Sequence, residues 1–181
     1  MSKPNGIKVD AFVIYPGHGL AVVKGVVEKE IGGETEHFFK LAFPYNKDME
    51  ILVPENRIDE CGIRPLSEKN EITRAFEILK EAPRDLSYGV LAPTTWKKRQ
   101  KQYRAMIEGG KLVDVAAIYR DLMHSSGRKE LSFGEKDMMH KAEWLISQEI
   151  FAAKRFVGEV DEVVSTIRHA VKPTDSSQVE S

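Results

Sequence analysis

A single cysteine in 181 residues, Cys61, leaves no partner for an internal disulfide and too few thiols for a cysteine-based metal cage. It sits beside Gly62 after an apparent strand, where a buried structural thiol is expected rather than a reactive one. No stretch approaches the run of about 20 apolar residues that spans a bilayer. Met1 to Lys8 lacks the apolar core of a signal peptide, so the expected location is the cytoplasm, with no membrane partner. Charge of either sign is not in excess: 27 Lys and Arg face 28 Asp and Glu, a net charge of −1. No global field draws such a chain to a polyanion, and any nucleic-acid contact must come from a local cluster. His18, His37, His124, His140 and His169 are scattered, with no H-E-x-x-H and no pair at ligand spacing, so no metal site is expected. Gly17-x-Gly19 lacks the third glycine of a dinucleotide fingerprint and precedes a strand, which makes it a β-turn. There is no P-loop and no G-x-S-x-G elbow, and no local grouping of Ser, His and Asp singles out a triad. Neither a cofactor nor catalysis is expected; the enzyme-class alternative is a hydrolase whose site assembles from distant residues.

What is present is a globular composition, 41% apolar and 30% charged, at a length that fits one ordinary domain or two small ones. From Ala11 to Val53 the apolar residues come in short runs broken by glycine and proline, which predicts four or five short strands. Ala11, Val13 and Tyr15 alternate; Pro16-Gly17-His18-Gly19 offers a turn; Leu20 to Val27 is rich in valine; Gly32-Gly33 reads as a hairpin turn before His37 to Ala42. Glu50 to Val53 adds a strand, closed by Pro54 at its end or at a sheet edge. So small a sheet buries its apolar face best by curling into an SH3-like barrel.

Beyond Pro65 the period becomes helical. Ile72, Ala75, Phe76 and Leu79 form one stripe ended by Ala82-Pro83, and Arg84 to Thr94 reads as a loop. Thr95 is a fair N-cap for a helix from Trp96 to Gly109-Gly110. Leu112, Val115, Ala116, Tyr119 and Met123 make the next stripe. Ser132 and Glu135 form an S-x-x-E capping box ahead of Met138, Met139, Ala142, Leu145, Ile146, Ile150 and Ala153. Trp144, inside that helix, is expected to pack. Gly158 precedes a shorter stripe through Val160, Val163, Val164 and Ile167. The reading is α+β: a small β domain over residues 1–66, an all-helical domain over 68–172 and a disordered tail over 173–181.

One segment departs from the even mixing of charge. Trp96-Lys97-Lys98-Arg99-Gln100-Lys101-Gln102-Tyr103-Arg104 holds five cations and no acid, at a helix start where the macrodipole favours acids. An anionic partner offsets that placement, because phosphates accept hydrogen bonds from lysine, arginine and free backbone N–H groups. At 100° per residue, Lys97, Lys98, Lys101 and Arg104 share one side of the helix, and Trp96, Tyr103 and Ile107 another. Two readings stay open on periodicity alone: a solvated charged face with Trp96 in the core, or a phosphate grip with Trp96 as an apolar wedge against unstacked bases.

Val13-Ile14-Tyr15-Pro16-Gly17-His18-Gly19, then Val53-Pro54 and Gly62-Ile63-Arg64, resemble the RNA-polymerase-interacting domain of the CarD/CdnL regulators, which transcription-repair coupling factors also carry. Pro93-Thr94-Thr95-Trp96-Lys97-Lys98-Arg99, Tyr119-Arg120-Asp121-Leu122 and Leu131-Ser132-Phe133-Gly134-Glu135-Lys136 resemble that family's helical DNA-binding domain. The resemblance implies a Tudor-like β domain on the RNA polymerase β subunit and a helical domain on promoter DNA at the upstream edge of the −10 region, stabilising the open complex without catalysis. It implies DNA contacts, low in sequence specificity, by Trp96, Lys97, Lys98, Arg99, Lys101 and Arg104, and polymerase contacts by Lys29, Glu50, Leu52 and Pro54. A monomer, nucleoid-associated through polymerase, is expected. The alternative is a freestanding DNA-binding adaptor that recruits another protein through its β domain.

Overall fold

In the computed structural model, which describes residues 7–84 and 95–171, the valine-rich N-terminal third forms five antiparallel strands. They are β1 Phe12–Tyr15, β2 Gly19–Ile31, β3 Glu34–Phe43, β4 Asn46–Pro54 and β5 Arg64–Pro65. Their order is β4-β3-β2-β1-β5, a sheet consistent with a Tudor-like domain. Alternation decides its inner face: Val13, Ala21, Val23, Phe39, Leu41, Phe43 and Val53 pack together with Ile58 and Ile63. The turn from β1 to β2 needs Gly17 and Gly19, whose φ of 77° and 89° an L side chain rarely adopts.

β2 and β3 run farther than alternation predicts, to Ile31 and from Glu34, and β4 begins at Asn46 instead of Glu50. The extra hairpin residues Glu28 to Ile31 and Glu34 to His37 are nearly all exposed, so no apolar period marks them. Backbone pairing and cross-strand contacts such as His37 to Glu28 at 3.6 Å extend the ribbon instead. Cys61 is free but half-buried, not buried as the sequence suggests: it lies in the turns after the short 3₁₀ segment Glu55–Arg57 and packs on the margin of the sheet core.

The chain divides into two compact units, Met1–Leu66 and Ser67–Ser181. The described residues of the second form α1 Lys69–Lys80, α2 Thr95–Gly109, α3 Leu112–Ser126, α4 Phe133–Ala153 and α5 Val160–Ala170, so the α+β class is as the sequence reads. The loop expected from Arg84 to Thr94 lies, after Arg84, outside the described residues, as does the expected tail. α3 is the central helix. Its stripe residues Leu112, Val115, Ala116 and Tyr119 are buried, and so are Ile118, Leu122 and the charged pair Arg120 and Asp121. Ala75 and Leu79 from α1, Tyr103 and Ile107 from α2, Ala142, Ile146 and Ile150 from α4, and Val163 and Ile167 from α5 complete this core.

Trp144 is 42% exposed, against the expectation that it packs. It lies two positions along the chain from each of the buried Ala142 and Ile146, which turns it about 160° away from both on a 3.6-residue helix. Buried polar groups tie the helices together. The Arg120 guanidinium donates to Asp121 at 2.8 Å, Arg84 donates through Nε to the same carboxylate at 2.7 Å, and Arg120 also reaches the Ile78 carbonyl. Tyr119 donates to Glu143, which Arg168 grips with two bonds of 2.9 and 2.7 Å. Burial and then the Glu143 carboxylate push the Tyr119 hydroxyl well above the ordinary tyrosine range.

Because both members of the Arg120–Asp121 pair are buried, removing Asp121 leaves the interior Arg120 charge with only a 3.4 Å contact to the half-exposed Glu81. Asp121→Ala is expected to lower unfolding free energy by about 3–5 kcal/mol in urea titrations. A loss below about 1 kcal/mol, typical of an exposed pair, would show that solvent reaches Arg120.

Candidate functional site

α2 begins with no acid in its first turn and turns two different sides outward and inward. Tyr103 and Ile107 are buried in the helical core, and Trp96 is partly buried and packs against the same core. Lys97, Lys98, Lys101 and Arg104 are exposed on the other side. The rotation of the helix is fixed by Tyr103, whose hydroxyl is pushed up to about 12, by burial first and by the Asp121 carboxylate second.

Arg99 does not join the four outward cations. Its guanidinium lies 3.7 Å from the buried carboxylate of Glu135, and its Cζ sits 5.8 Å from the Trp96 ring centroid. Its Nε is buried, with no hydrogen-bond partner among the described residues. Glu135 is the third residue of α4 and closes the Ser132 capping box: Ser132 N–H donates to Glu135 at 2.9 Å, and Glu135 N–H donates to Ser132 Oγ at 3.3 Å. Lys129 adds a bond of 3.0 Å to the same carboxylate. Burial pushes the Glu135 carboxyl up, but the Ser132 and Lys129 hydrogen bonds outweigh it, and its pKa falls below the ordinary value. The start of α4 thus meets the start of α2. An atom in the Cβ position of Gly134 would stand 3.4 Å from Trp96 Cζ2, so the glycine backbone lies against the indole.

In the sheet, cross-strand register decides which side chains share a face. Phe38 pairs with Pro54, Lys40 with Leu52 and Ala42 with Glu50 in β3 and β4, all on the face opposite the core. In β2 the register shifts between Val23 and Gly25, inserting Lys24 as an extra residue. That insertion reverses the parity: Val23 faces the core, while Val27 pairs with Phe38 and Lys29 with Glu36 on the outer face. Lys29, Glu50, Leu52 and Pro54 therefore lie on one face. Lys29 Nζ stands 5.9 Å from the Phe38 ring centroid, Lys40 pairs with Glu50 at 3.0 Å, and Leu52 is 36% exposed. β4 is the last strand of the sheet, paired among the described residues with β3 alone, and leaves one edge open.

Sequence reasoning separates the inward and outward sides of α2 but misses the inward course of Arg99. The one local signal is the S-x-x-E box, whose buried acid is a ready partner for a half-buried guanidinium. It also misses Arg120 and Asp121, two charges on a helix that is buried nearly all round.

Residues 7–67 match the CarD-like/TRCF RID domain, and residues 74–165, half of the chain, match the CarD C-terminal domain. Among curated relatives is a Bacillus subtilis (strain 168) protein named "Putative transcription factor YdeB". It is 28% identical over 137 residues, which cover 75% of this chain and 85% of that protein.

Because the folded-state pKa of Glu135 is depressed, its contribution to stability is complete above the ordinary value of 4.5 and is lost as pH falls through the folded value. Glu135→Gln keeps an acceptor for Ser132 N–H but removes the charge facing Arg99 and Lys129. Unfolding free energy measured against pH should therefore fall less steeply in the variant below 4.5. Parallel curves would mean that the carboxylate is not held as described.

Proposed function

The chain belongs to the CarD family of transcription regulators, and we propose that it holds bacterial RNA polymerase through its sheet and promoter DNA through α2. The DNA contact is at the upstream edge of the −10 region, where Lys97, Lys98, Lys101 and Arg104 meet phosphates and Trp96 meets the minor groove. The observation that carries this reading is the sorting of charge on α2: four cations stand outward, two of them, Lys97 and Lys98, in the first turn where the helix favours anions, while the fifth, Arg99, is turned inward. Phosphate contacts bring affinity with little sequence information, so promoter choice comes from polymerase.

Trp96 serves both readings left open by its periodicity. Its ring is braced by the helical core, Gly134 and Arg99, and the part that remains exposed meets DNA. A braced ring suits a wedge, since unstacking a base step costs a few kcal/mol that an already ordered side chain helps offset. Arg99, in this reading, orients Trp96 and neutralises Glu135 and does not contact phosphate.

The polymerase contact, on the β subunit, uses the outer face of the sheet with the open edge of β4. Leu52 and Pro54 give it an apolar centre, and Lys29 and Glu50 give it charges. An edge strand also offers unpaired backbone groups for strand addition. Two weak attachments joined in one chain raise the effective concentration of each. The protein acts as a monomeric clamp, in the cytoplasm and on the nucleoid through polymerase, and prolongs the open complex without chemistry.

Replacing Lys98 and Lys101 with alanine is expected to flatten the slope of log affinity against log salt by about two units, near one per lost phosphate contact. The same double variant should shorten the half-life of the open promoter complex. An unchanged slope would leave those lysines in solvent and end the DNA assignment.

Leu52→Glu sets a like charge beside Glu50 on an exposed face, so retention on immobilised polymerase β lobe should fall while the melting temperature holds. Equal retention of variant and wild type would remove the docking face. No retention of the wild type, with DNA binding intact, would favour the freestanding adaptor.

A further inference from the structure

Glu149 lies in the last third of α4, next to Ile150 and one turn after Ile146, two core residues, and is itself only 3% exposed. A carboxyl group withdrawn from water is unfavourable unless donors meet it, and an apolar side chain would fill the position without that need. One of its donors comes from 82 residues away: the backbone N–H of Ser67 donates to Glu149 Oε1 at 2.8 Å. Ser67 is the first residue of the helical unit and is also buried.

The chain is fixed on both sides of this point. Before it, β5 pairs with β1, Arg64 with Ile14 and Pro65 with Val13, so the sheet unit holds the backbone as far as Pro65. After it, Glu68 N–H donates to the Glu71 carboxylate at 2.8 Å in a capping box, and α1 begins at Lys69. Were Glu149 not to hold Ser67, the residues between these anchorages would be Leu66 and Ser67. With Ser67 held, Leu66 alone remains. The cap of α1 does not account for Glu149, because Glu68 and Glu71 already close it.

We propose that Glu149 is a positioning residue: by holding Ser67 it reduces the free chain between the two units to one residue, so that a unit already bound keeps the other within reach of its target. The consequence for binding rests on the reading of the two units as grips on polymerase and DNA. Each residue of free chain adds two soft dihedrals, and the effective concentration of the second grip falls roughly as the −3/2 power of tether length. Two free residues in place of one therefore lower it about threefold, and five in place of one about tenfold.

Hydrogen exchange on the full wild-type chain tests the bond without any substitution. The Ser67 amide should be protected like the interior amides of α4, and exchange as fast as an unstructured amide would overturn the proposal. Spin labels at the exposed Glu36 and Asp161, with Cys61 replaced by serine, then give the spread of distances between the units. Glu149→Leu should broaden that spread, and Glu149→Gln, which keeps an acceptor for Ser67 N–H, should not. Glycines inserted after Leu66, to make a free chain of about five residues, set the scale of a loose tether. A wild-type spread as broad as that of the insertion would overturn the proposal, as would one that Glu149→Leu leaves unchanged. Should Glu149→Leu fail to fold, the exchange rate and the insertion still decide. On polymerase–promoter complexes, Glu149→Leu should shorten the residence of the protein about threefold and the insertion about tenfold, with retention on the isolated β lobe unchanged. A broadened spread with no loss of residence would overturn the two-grip reading and leave the role of Glu149 in place.

Discussion

A carboxylate buried at the start of α4 organises the place where α4 meets α2. Glu135 is nearly inaccessible to water, and a charge in that position must be met by donors fixed in place. Three supply them: the Ser132 backbone N–H, the Lys129 ammonium and the Arg99 guanidinium. The first caps α4. The last reaches across from α2 and in doing so lies over Trp96. One acid thus caps one helix, orients a second and braces the indole between them. The outward direction of the remaining α2 cations follows from this same constraint, since a helix turned to bury Tyr103 and Ile107 and to half-bury Arg99 has its other lysines and Arg104 in water.

Much of this was legible in the sequence, wherever one physical cause acts alone. The capping box between Ser132 and Glu135, the glycine turns and the two sides of α2 follow from local chemistry and a single period. Readings failed where two causes compete. Trp144 is apolar, yet its angular position on α4 turns it away from Ala142 and Ile146, and position prevails over composition. Arg99 is a cation in a run of cations, yet the partner that draws it inward lies 36 residues on, beyond any local pattern. The burial of Arg120 and Asp121 carries no local signal, because it depends on how α1 and the residues after it close over α3. Which side of the sheet Lys29 takes was also beyond reach: the extra residue at Lys24 reverses the alternation, and a bulge leaves no apolar signature.

The two faces of the sheet are held to different standards. Inward, Val23, Leu41 and Val53 fill a shared interior where a change of one methylene is felt. Outward, Lys40 and Glu50 meet in solvent, where such a pair contributes little to stability. Along β4 the two standards alternate residue by residue: Met49, Ile51 and Val53 belong to the core, and Glu50, Leu52 and Pro54 to the outer face. Substitutions at one set leave the other untouched so long as the count between them is kept. The outer set is free to drift with whatever surface it meets, while an inserted or deleted residue would exchange the sets and lose both at once. Descent within this lineage should therefore be permissive of replacement in these nine residues and intolerant of a change in their number.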